Sequence, residues 1–166
     1  MERKLTAIMF TDIVGYSKIM STNEKIGLEL LDSQSELVLP IIKNFNGKIL
    51  KKMGDAFFVD FSSSINAIEC SVKIQKALKD YNFSKDSEKK LLLRIGLHIG
   101  DVFIKEDDLF GEGINVAARL EPLAEPGGIC MSQAFYDSVK VKSDFSAVRV
   151  GDVTLKNILS KYTIYK

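Results

Sequence analysis

The chain has 166 residues, 46% of them hydrophobic, which is enough apolar material for the core of one globular domain. Its formal net charge of +1 argues against a general nucleic-acid-binding or anionic-membrane-binding surface. The apolar stretch Leu5–Phe10 ends at Thr11 and Asp12, and it is too short for a signal peptide or a membrane span. Cys70 and Cys130 lie in apolar surroundings without metal-binding spacing, so we expect reduced core residues of a cytoplasmic protein.

Hydrophobic periodicity predicts strands that alternate with amphipathic helices. The first half of the chain reads as a strand at 4–11, a helix at 24–45, strands at 48–52 and 56–61, and a helix from Ser62–Ser64 to about Tyr81. The second half reads as a strand at 91–104 interrupted at Gly96 and Gly100, a helix at 113–121, a strand at 129–131, a helix at 132–140 and a β segment near 146–165. Pro40 lies inside the first helical pattern and predicts a kink or a break there.

The predicted order of elements is β-α-β-β-α-β followed by additions. This order is typical of an α+β fold with a ferredoxin-like split βαβ (βαββαβ) core and C-terminal αβ additions. We find neither an internal repeat nor a linker, so residues 1–166 are expected to form a single domain. Helices on one face of such a sheet leave the other face free, and we expect that face to be polar or to meet substrate or a second subunit.

Two acidic residues occupy positions that this fold brings together. Asp12 follows the first strand, and Asp55 lies at or near the tip of the hairpin formed by the second and third strands. Taken alone, each is most simply a turn or helix-capping residue. In the predicted sheet, however, the hairpin is a neighbour of the first strand, so both carboxylates come to one end of the sheet. Two like charges placed together are unfavourable without a cation between them, which favours a metal site.

Asn115 and Arg119 are four residues apart in a predicted helix and therefore project from the same side of it. An arginine can neutralise the charge that develops on phosphorus during phosphoryl transfer. The simpler interpretation is a polar helix face on which Arg119 forms a surface salt bridge with Glu121 or Glu125. That interpretation leaves unexplained the small residues nearby, which permit close approach of another backbone or a ligand.

Three segments together resemble the class III nucleotidyl cyclase catalytic domain, in its bacterial form. The resemblance covers essentially the whole chain from about Leu5, and it is carried by Phe10-Thr11-Asp12-Ile13-Val14-Gly15-Tyr16-Ser17, Gly54-Asp55-Ala56-Phe57 and Gly111-Glu112-Gly113-Ile114-Asn115-Val116-Ala117-Ala118-Arg119-Leu120-Glu121. It implies an enzyme that converts ATP into cyclic AMP and pyrophosphate. It also implies two Mg²⁺ or Mn²⁺ ions per site, held by Asp12 and Asp55 with help from the backbone carbonyl of Ile13.

The resemblance further implies a homodimer with active sites at the interface, because the remaining site residues would come from the second chain. Lys51 and Asp108 match the pair that reads the purine edge, and Asn115 matches the residue that positions the ribose. Arg119 matches the residue that stabilises charge on the α-phosphate, and Lys156 matches a lysine that contacts the outer phosphates.

The purine-reading pair favours ATP over GTP. Adenine presents an amino donor and a ring-nitrogen acceptor, which complement the carboxylate of Asp108 and the ammonium group of Lys51. The alternatives are a guanylate cyclase and a non-catalytic nucleotide-binding or dimerisation module; diguanylate cyclases rank lower because they lack the Asn115/Arg119 motif. A bare catalytic domain of this type implies fusion to a regulatory domain in a longer protein.

Overall fold

The computed structural model describes residues 2–106, 108–141, 147, 149–154 and 161–166. The strands are β1 (Glu2–Ile13), β2 (Lys48–Met53), β3 (Ala56–Phe61), β4 (Leu93–Lys105), β5 (Asp108–Phe110), β6 (Ile129–Ser132), β7 (Arg149–Thr154) and β8 (Lys161–Tyr165). The α-helices are α1 (Tyr16–Thr22), α2 (Glu24–Asn44), α3 (Ser64–Asn82), α4 (Glu112–Leu120) and α5 (Gln133–Val139), and 3₁₀ turns span Ser87–Lys89 and Glu121–Leu123.

All the strands belong to one sheet with the order β2-β3-β1-β4-β6-β8-β7, and β5 pairs with β4. The pairs β2–β3, β3–β1 and β1–β4 are antiparallel, and α2 and α3 make the two crossovers. This arrangement is the split βαβ core that the element order predicts, so the predicted fold class is confirmed. The β4–β6 pair is parallel, which begins the C-terminal addition.

The centre of the sheet is β1, which pairs along its length with β4 and through its second half with β3. Every residue from Thr6 to Thr11 is buried. A strand covered on both faces needs apolar side chains on both, and this explains the unbroken apolar run at 7–10.

The two faces of the sheet are covered differently. One face packs against α2, α3 and α5 and holds the larger hydrophobic core, which includes Met9, Phe57 and Ile74. On the other face α4 lies against β4 and β1. A second apolar cluster lies there, formed by Ile8, Phe10, Ala56, Phe58, Val102 and Ala117. The sequence predicts that the second face is free of helices. The structure differs, because α4 covers part of this face.

The predicted interruptions of β4 at Gly96 and Gly100 are wrong, since the strand runs unbroken from Leu93 to Lys105. Gly96 serves tertiary packing instead. A Cβ atom at this position would lie 2.7 Å from the carbonyl oxygen of Ala117 and 2.7 Å from the backbone nitrogen of Glu121. The glycine therefore lets the end of α4 approach the strand more closely than any side chain would allow.

Side-chain caps begin α2 and α3. The Oδ1 atom of Asn23 accepts a hydrogen bond from the backbone of Ile26 at the start of α2, and the hydroxyl of Ser63 accepts one from Asn66 at the start of α3. The predicted break at Pro40 is absent, because α2 continues through it. Pro40 lies on the exposed side of the helix, where water can satisfy the carbonyl that proline leaves unpaired.

Both cysteines are free and buried. Burial raises the pKa of the Cys70 thiol to about 12 and that of Cys130 to about 11, so neither thiol is a reactive nucleophile near neutral pH. Within the described ranges, no helix is at once long and apolar enough to cross a membrane.

Candidate active site

Asp12 lies near the end of β1, where the strand leaves the centre of the sheet. It is paired in register with Arg94 of β4 and is half-buried. Because side chains alternate along a strand, Asp12 projects on the same face as Phe10, which is the face that carries α4.

Asp55 lies in the turn between β2 and β3, where Gly54 adopts a left-handed φ of 59°. One carboxylate oxygen of Asp55 accepts a hydrogen bond of 2.7 Å from the backbone nitrogen of Ile13. On the other side of the turn, the Gln34 amide donates a 3.2 Å hydrogen bond to the backbone carbonyl of Asp55. The first bond holds the turn against the end of β1 and the second ties it to α2, so Asp12, Ile13 and Asp55 come together at one end of the sheet.

The two aspartates repel each other there. Burial is the largest cause that raises the pKa of Asp55 above its ordinary value, and the charge of Asp12 raises it further. The hydrogen bond from the Ile13 backbone acts in the opposite direction, because it stabilises the ionised form.

A third acidic residue, Glu121, joins this pair and was not predicted. It follows the last residue of α4, its residue exposure is only 2%, and its Oε1 atom has no hydrogen-bond partner. Burial, a hydrogen bond with Asp12 and the charges of both aspartates raise the pKa of Glu121 to about 9, while Arg94 acts in the opposite direction. One signal was available in the sequence: Glu121 lies four residues after Ala117, on the apolar stripe of the helix.

This arrangement fits a divalent cation. The two aspartates supply carboxylate oxygens, which hard cations such as Mg²⁺ prefer, and their mutual repulsion would be relieved by positive charge. No set of three or more acidic, histidine or cysteine residues in the described part of the chain is arranged as a metal-binding cluster. A site with only one or two protein carboxylates is nevertheless usual for Mg²⁺ ions that also bind the phosphates of a substrate.

Asn115 and Arg119 lie together on the exposed side of α4. The opposite side of the helix packs on the sheet through Gly113 and Ala117, which are buried. A Cβ atom at Gly113 would lie 2.8 Å from the carbonyl oxygen of Asp101. The small residues around Asn115 therefore let the helix approach the sheet within this chain, and the polar pair faces outward.

Lys51 and Lys52 project from opposite sides of β2. Lys51 is exposed and pairs in register with Phe58, so it lies on the face that carries α4. Lys52 pairs with Phe57 on the other face, and its ammonium nitrogen lies 5.7 Å from the centre of that ring.

The last two predicted residues are less fully defined. Asp108 begins the short strand β5, and it pairs in register with Lys105 of β4. Lys156 lies outside the described residues.

We expect the metal-free Glu121→Gln variant to gain stability relative to the wild type as pH rises from about 5 towards 9. The raised pKa means that the folded protein keeps a proton that the unfolded chain releases above its ordinary value of 4.5. Wild-type stability should therefore fall over this window by up to about 1.4 kcal/mol per pH unit, whereas glutamine has no proton to lose. Urea unfolding in the presence of EDTA at several pH values measures the difference. Glu69→Gln, an exposed change on α3, is the control, and a pH profile of Glu121→Gln parallel to the wild type would contradict this reading.

Comparison with known proteins shows similarity to one family along the chain. The family model described as the adenylate and guanylate cyclase catalytic domain matches residues 2–166. A protein of Rhizobium meliloti (strain 1021) named "Putative adenylate cyclase 3" is 38% identical over 94% of this chain and 27% of its own length. The receptor-type guanylate cyclase gcy-23 of Caenorhabditis elegans is 28% identical over 92% of this chain and 16% of its own length. The chain thus spans about a quarter or less of these relatives.

Among solved structures, the adenylate/guanylate cyclase/hydrolase from Silicibacter pomeroyi is similar over 99% of this chain and 96% of that chain, with 33% identity and a TM-score of 0.92. The adenylyl cyclase CyaB from P. aeruginosa has the same fold, with a TM-score of 0.84 and 22% identity over 99% of this chain and 93% of that chain. Because the family model covers the chain from its second residue to its last, the chain belongs to the adenylate and guanylate cyclase catalytic domain family.

Proposed function

We propose that this chain is an adenylate cyclase domain, which forms cyclic AMP and pyrophosphate from ATP. The observation that carries the proposal is the hydrogen bond between Asp55 and the Ile13 backbone, because it brings two carboxylates to one end of the sheet. The reaction joins the ribose 3′-oxygen to the α-phosphorus and breaks the bond from that phosphorus to the oxygen of the leaving pyrophosphate. The hydroxyl proton leaves to solvent.

In this proposal Asp12, Asp55 and the backbone carbonyl of Ile13 would hold two divalent ions, Mg²⁺ or Mn²⁺. Such ions, when bound, neutralise the triphosphate and make the 3′-hydroxyl easier to deprotonate. The hydrogen bond from Ile13 already holds the side chain of Asp55 in place for this role. No further ordering of that side chain is therefore needed when the nucleotide binds.

Asn115 and Arg119 act on the ribose and the α-phosphate. Their exposed position on α4 suits a site completed by a second chain, because this side of the helix faces away from its own sheet. The guanidinium group of Arg119 would bind the α-phosphate oxygens as negative charge builds on them, and Asn115 would hold the ribose in line for attack. Lys156 is assigned to the outer phosphates on the resemblance alone.

Lys51 and Asp108 would read the purine. Lys51 is exposed on the face of the sheet that carries α4, which supports its access to a nucleotide bound there. An ammonium donor and a carboxylate acceptor complement adenine, while guanine presents the reverse pattern. A guanylate cyclase remains the second candidate, since relatives of both names match the chain.

The domain would work inside a longer protein, since the curated relatives are several times its length. A nucleoside triphosphate substrate suits a cytoplasmic location. We infer that the homodimer is the active form and that attached domains control it.

The proposal is tested by incubating the purified chain with ATP or GTP and Mg²⁺ or Mn²⁺ and identifying the cyclic product. Wild-type protein should make cyclic AMP, and Asp55→Asn should lower turnover by about 100-fold or more because a charge on the metal site is lost. Asparagine keeps an oxygen that can accept the Ile13 hydrogen bond, so the fold should survive. Asp101→Asn makes the same change on β4 at a residue paired with Arg3 and should retain activity. A fully active Asp55→Asn variant would remove the metal assignment.

Specificity should move from ATP towards GTP when Lys51→Glu and Asp108→Cys are combined. The reason is that an unpaired buried donor or acceptor at the base edge costs about 1–3 kcal/mol. The ratio of kcat/KM values for the two nucleotides measures the shift. Lys52→Glu changes the same charge on the opposite face of β2 and should leave the ratio unchanged. A wild-type preference for GTP would show that the base assignment is wrong.

Two inactive variants should restore activity when they are mixed. Asp12→Ala removes a metal ligand and Arg119→Ala removes the phosphate-binding cation, and each loss should cost about 2.7–4 kcal/mol of transition-state stabilisation. A mixed dimer contains one site that is intact on both sides. Random pairing should therefore recover roughly a quarter of wild-type activity, given two-fold symmetry.

The matched control for this experiment mixes Asp12→Ala with Asp55→Asn. Both changes affect the metal-binding half of the site, so no dimer in that mixture contains an intact site and no activity should return. If the first mixture also stays inactive although the protein is dimeric, each site must be built within one chain.

A further inference from the structure

A groove of about 710 Å³ lies on the face of the sheet opposite α4. Its walls are one side of α3, the segment 90–92 and the segment 126–131. The volume is in the range of small-molecule binding sites, about 300–1,000 Å³. None of the residues assigned to nucleotide binding or metal binding lines it.

The lining of the groove is mainly apolar. Val72 and Ile129 are half-buried in its walls, while Ile68 and Met131 lie deeper. Phe83, at the end of α3, is 92% exposed, and Leu92 is 37% exposed. Large apolar side chains left open to water beside an apolar groove indicate a surface that gains stability when it is covered.

The uncharged polar side chains of the lining already form hydrogen bonds within the protein. The Gln75 amide nitrogen donates to the backbone carbonyls of Leu93 and Gly128, at 3.1 and 2.9 Å. The Asn82 side chain makes hydrogen bonds with both backbone groups of Leu91. The Oε1 atom of Gln75 has no partner, but it is enclosed by protein. The interior of the groove therefore offers no free donor to a polar ligand, and what enters it should be apolar.

The rim of the groove is cationic. Lys76, Lys79, Lys90 and Lys166 line it, and no aspartate or glutamate does so among the described residues. Lys166 forms a 3.2 Å ion pair with Glu125, whereas the other three are exposed and have no ion pair in the described part of the chain. In a chain with a net charge of only +1, this is a local concentration of positive charge.

We propose that the groove binds a small amphipathic anion with one long alkyl chain, of the fatty-acid carboxylate class. The alkyl chain would replace water along Val72 and Ile129, and the carboxylate would remain at the rim near Lys76 and Lys79. A nucleotide suits the groove poorly, because its base and sugar would lose hydrogen bonds that the lining cannot replace. This site is independent of the cyclase proposal.

The test measures binding of monomeric dodecanoate to the whole chain by titration calorimetry, without nucleotide or divalent ions. We expect saturable binding of one molecule per chain. Lys76→Glu combined with Lys79→Glu should weaken it about tenfold, because two attractive charges become repulsive. Lys73→Glu combined with Lys43→Glu alters the same total charge at exposed positions outside the groove and should have no effect. Dodecanol, which lacks the anionic head, should bind more weakly than dodecanoate.

Val72→Asp tests the apolar wall directly and should abolish binding. Its near-ultraviolet circular dichroism should match the wild type, and if it does not, the lysine variants alone decide the question. Absence of saturable dodecanoate binding overturns the proposal, as does equal weakening by the two pairs of lysine variants. Binding of an acidic amphipathic peptide or of anionic vesicles without binding of monomeric dodecanoate also overturns it, since the groove would then be a macromolecular contact.

Discussion

The close contact between α4 and β4 is the constraint on which the arrangement of the site depends. Gly96 and Gly113 carry no side chain at this contact, and a Cβ atom at either position would collide with backbone. Through this contact α4 brings Glu121 against Asp12 and turns Asn115 and Arg119 towards solvent. A helix held farther from the sheet would change both the position of Glu121 and the polar face at once, because Glu121 directly follows the helix that carries Asn115 and Arg119.

In the absence of a cation, the acidic residues at this end of the sheet destabilise the folded chain. Asp12, Asp55 and Glu121 meet where burial already disfavours negative charge, and the backbone groups of Ile13 and Asp55 together with Arg94 act against the repulsion. Such an arrangement stabilises the fold poorly but prepares a place for positive charge. Concentrated like charges of this kind are more typical of functional sites than of structural ones.

Much of the fold could be predicted because strong periodic patterns determine it. The limits of α2 and β3 agree with the predicted ones to within a residue, and the convergence of Asp12 with Asp55 followed from the position of the hairpin beside β1. The short helix α1 was missed because it buries no residue and so carries no apolar stripe. The strand β5 was missed because three residues form a strand only through pairing with β4.

The remaining errors came from tertiary contacts that local patterns do not reveal. Gly96 was read as a local interruption, whereas its role depends on a helix that follows more than a dozen residues later. Glu121 was considered only as a possible surface partner of Arg119, although it lies four residues after the buried Ala117. Both residues can be understood only once the docking of α4 is known.

The outward direction of Arg119 has a consequence for how such a domain is controlled. In the proposed shared site, a single chain contains both halves of the chemistry but cannot bring them together, so it is silent in isolation. Cyclase activity per chain then depends on the fraction of chains that are dimeric, and dilution lowers that fraction by mass action. A tether that holds two copies near each other raises their effective concentration without contacting the site. A tether that keeps the two copies apart abolishes the activity. An attached sensor domain would then need to change only the distance between the two copies.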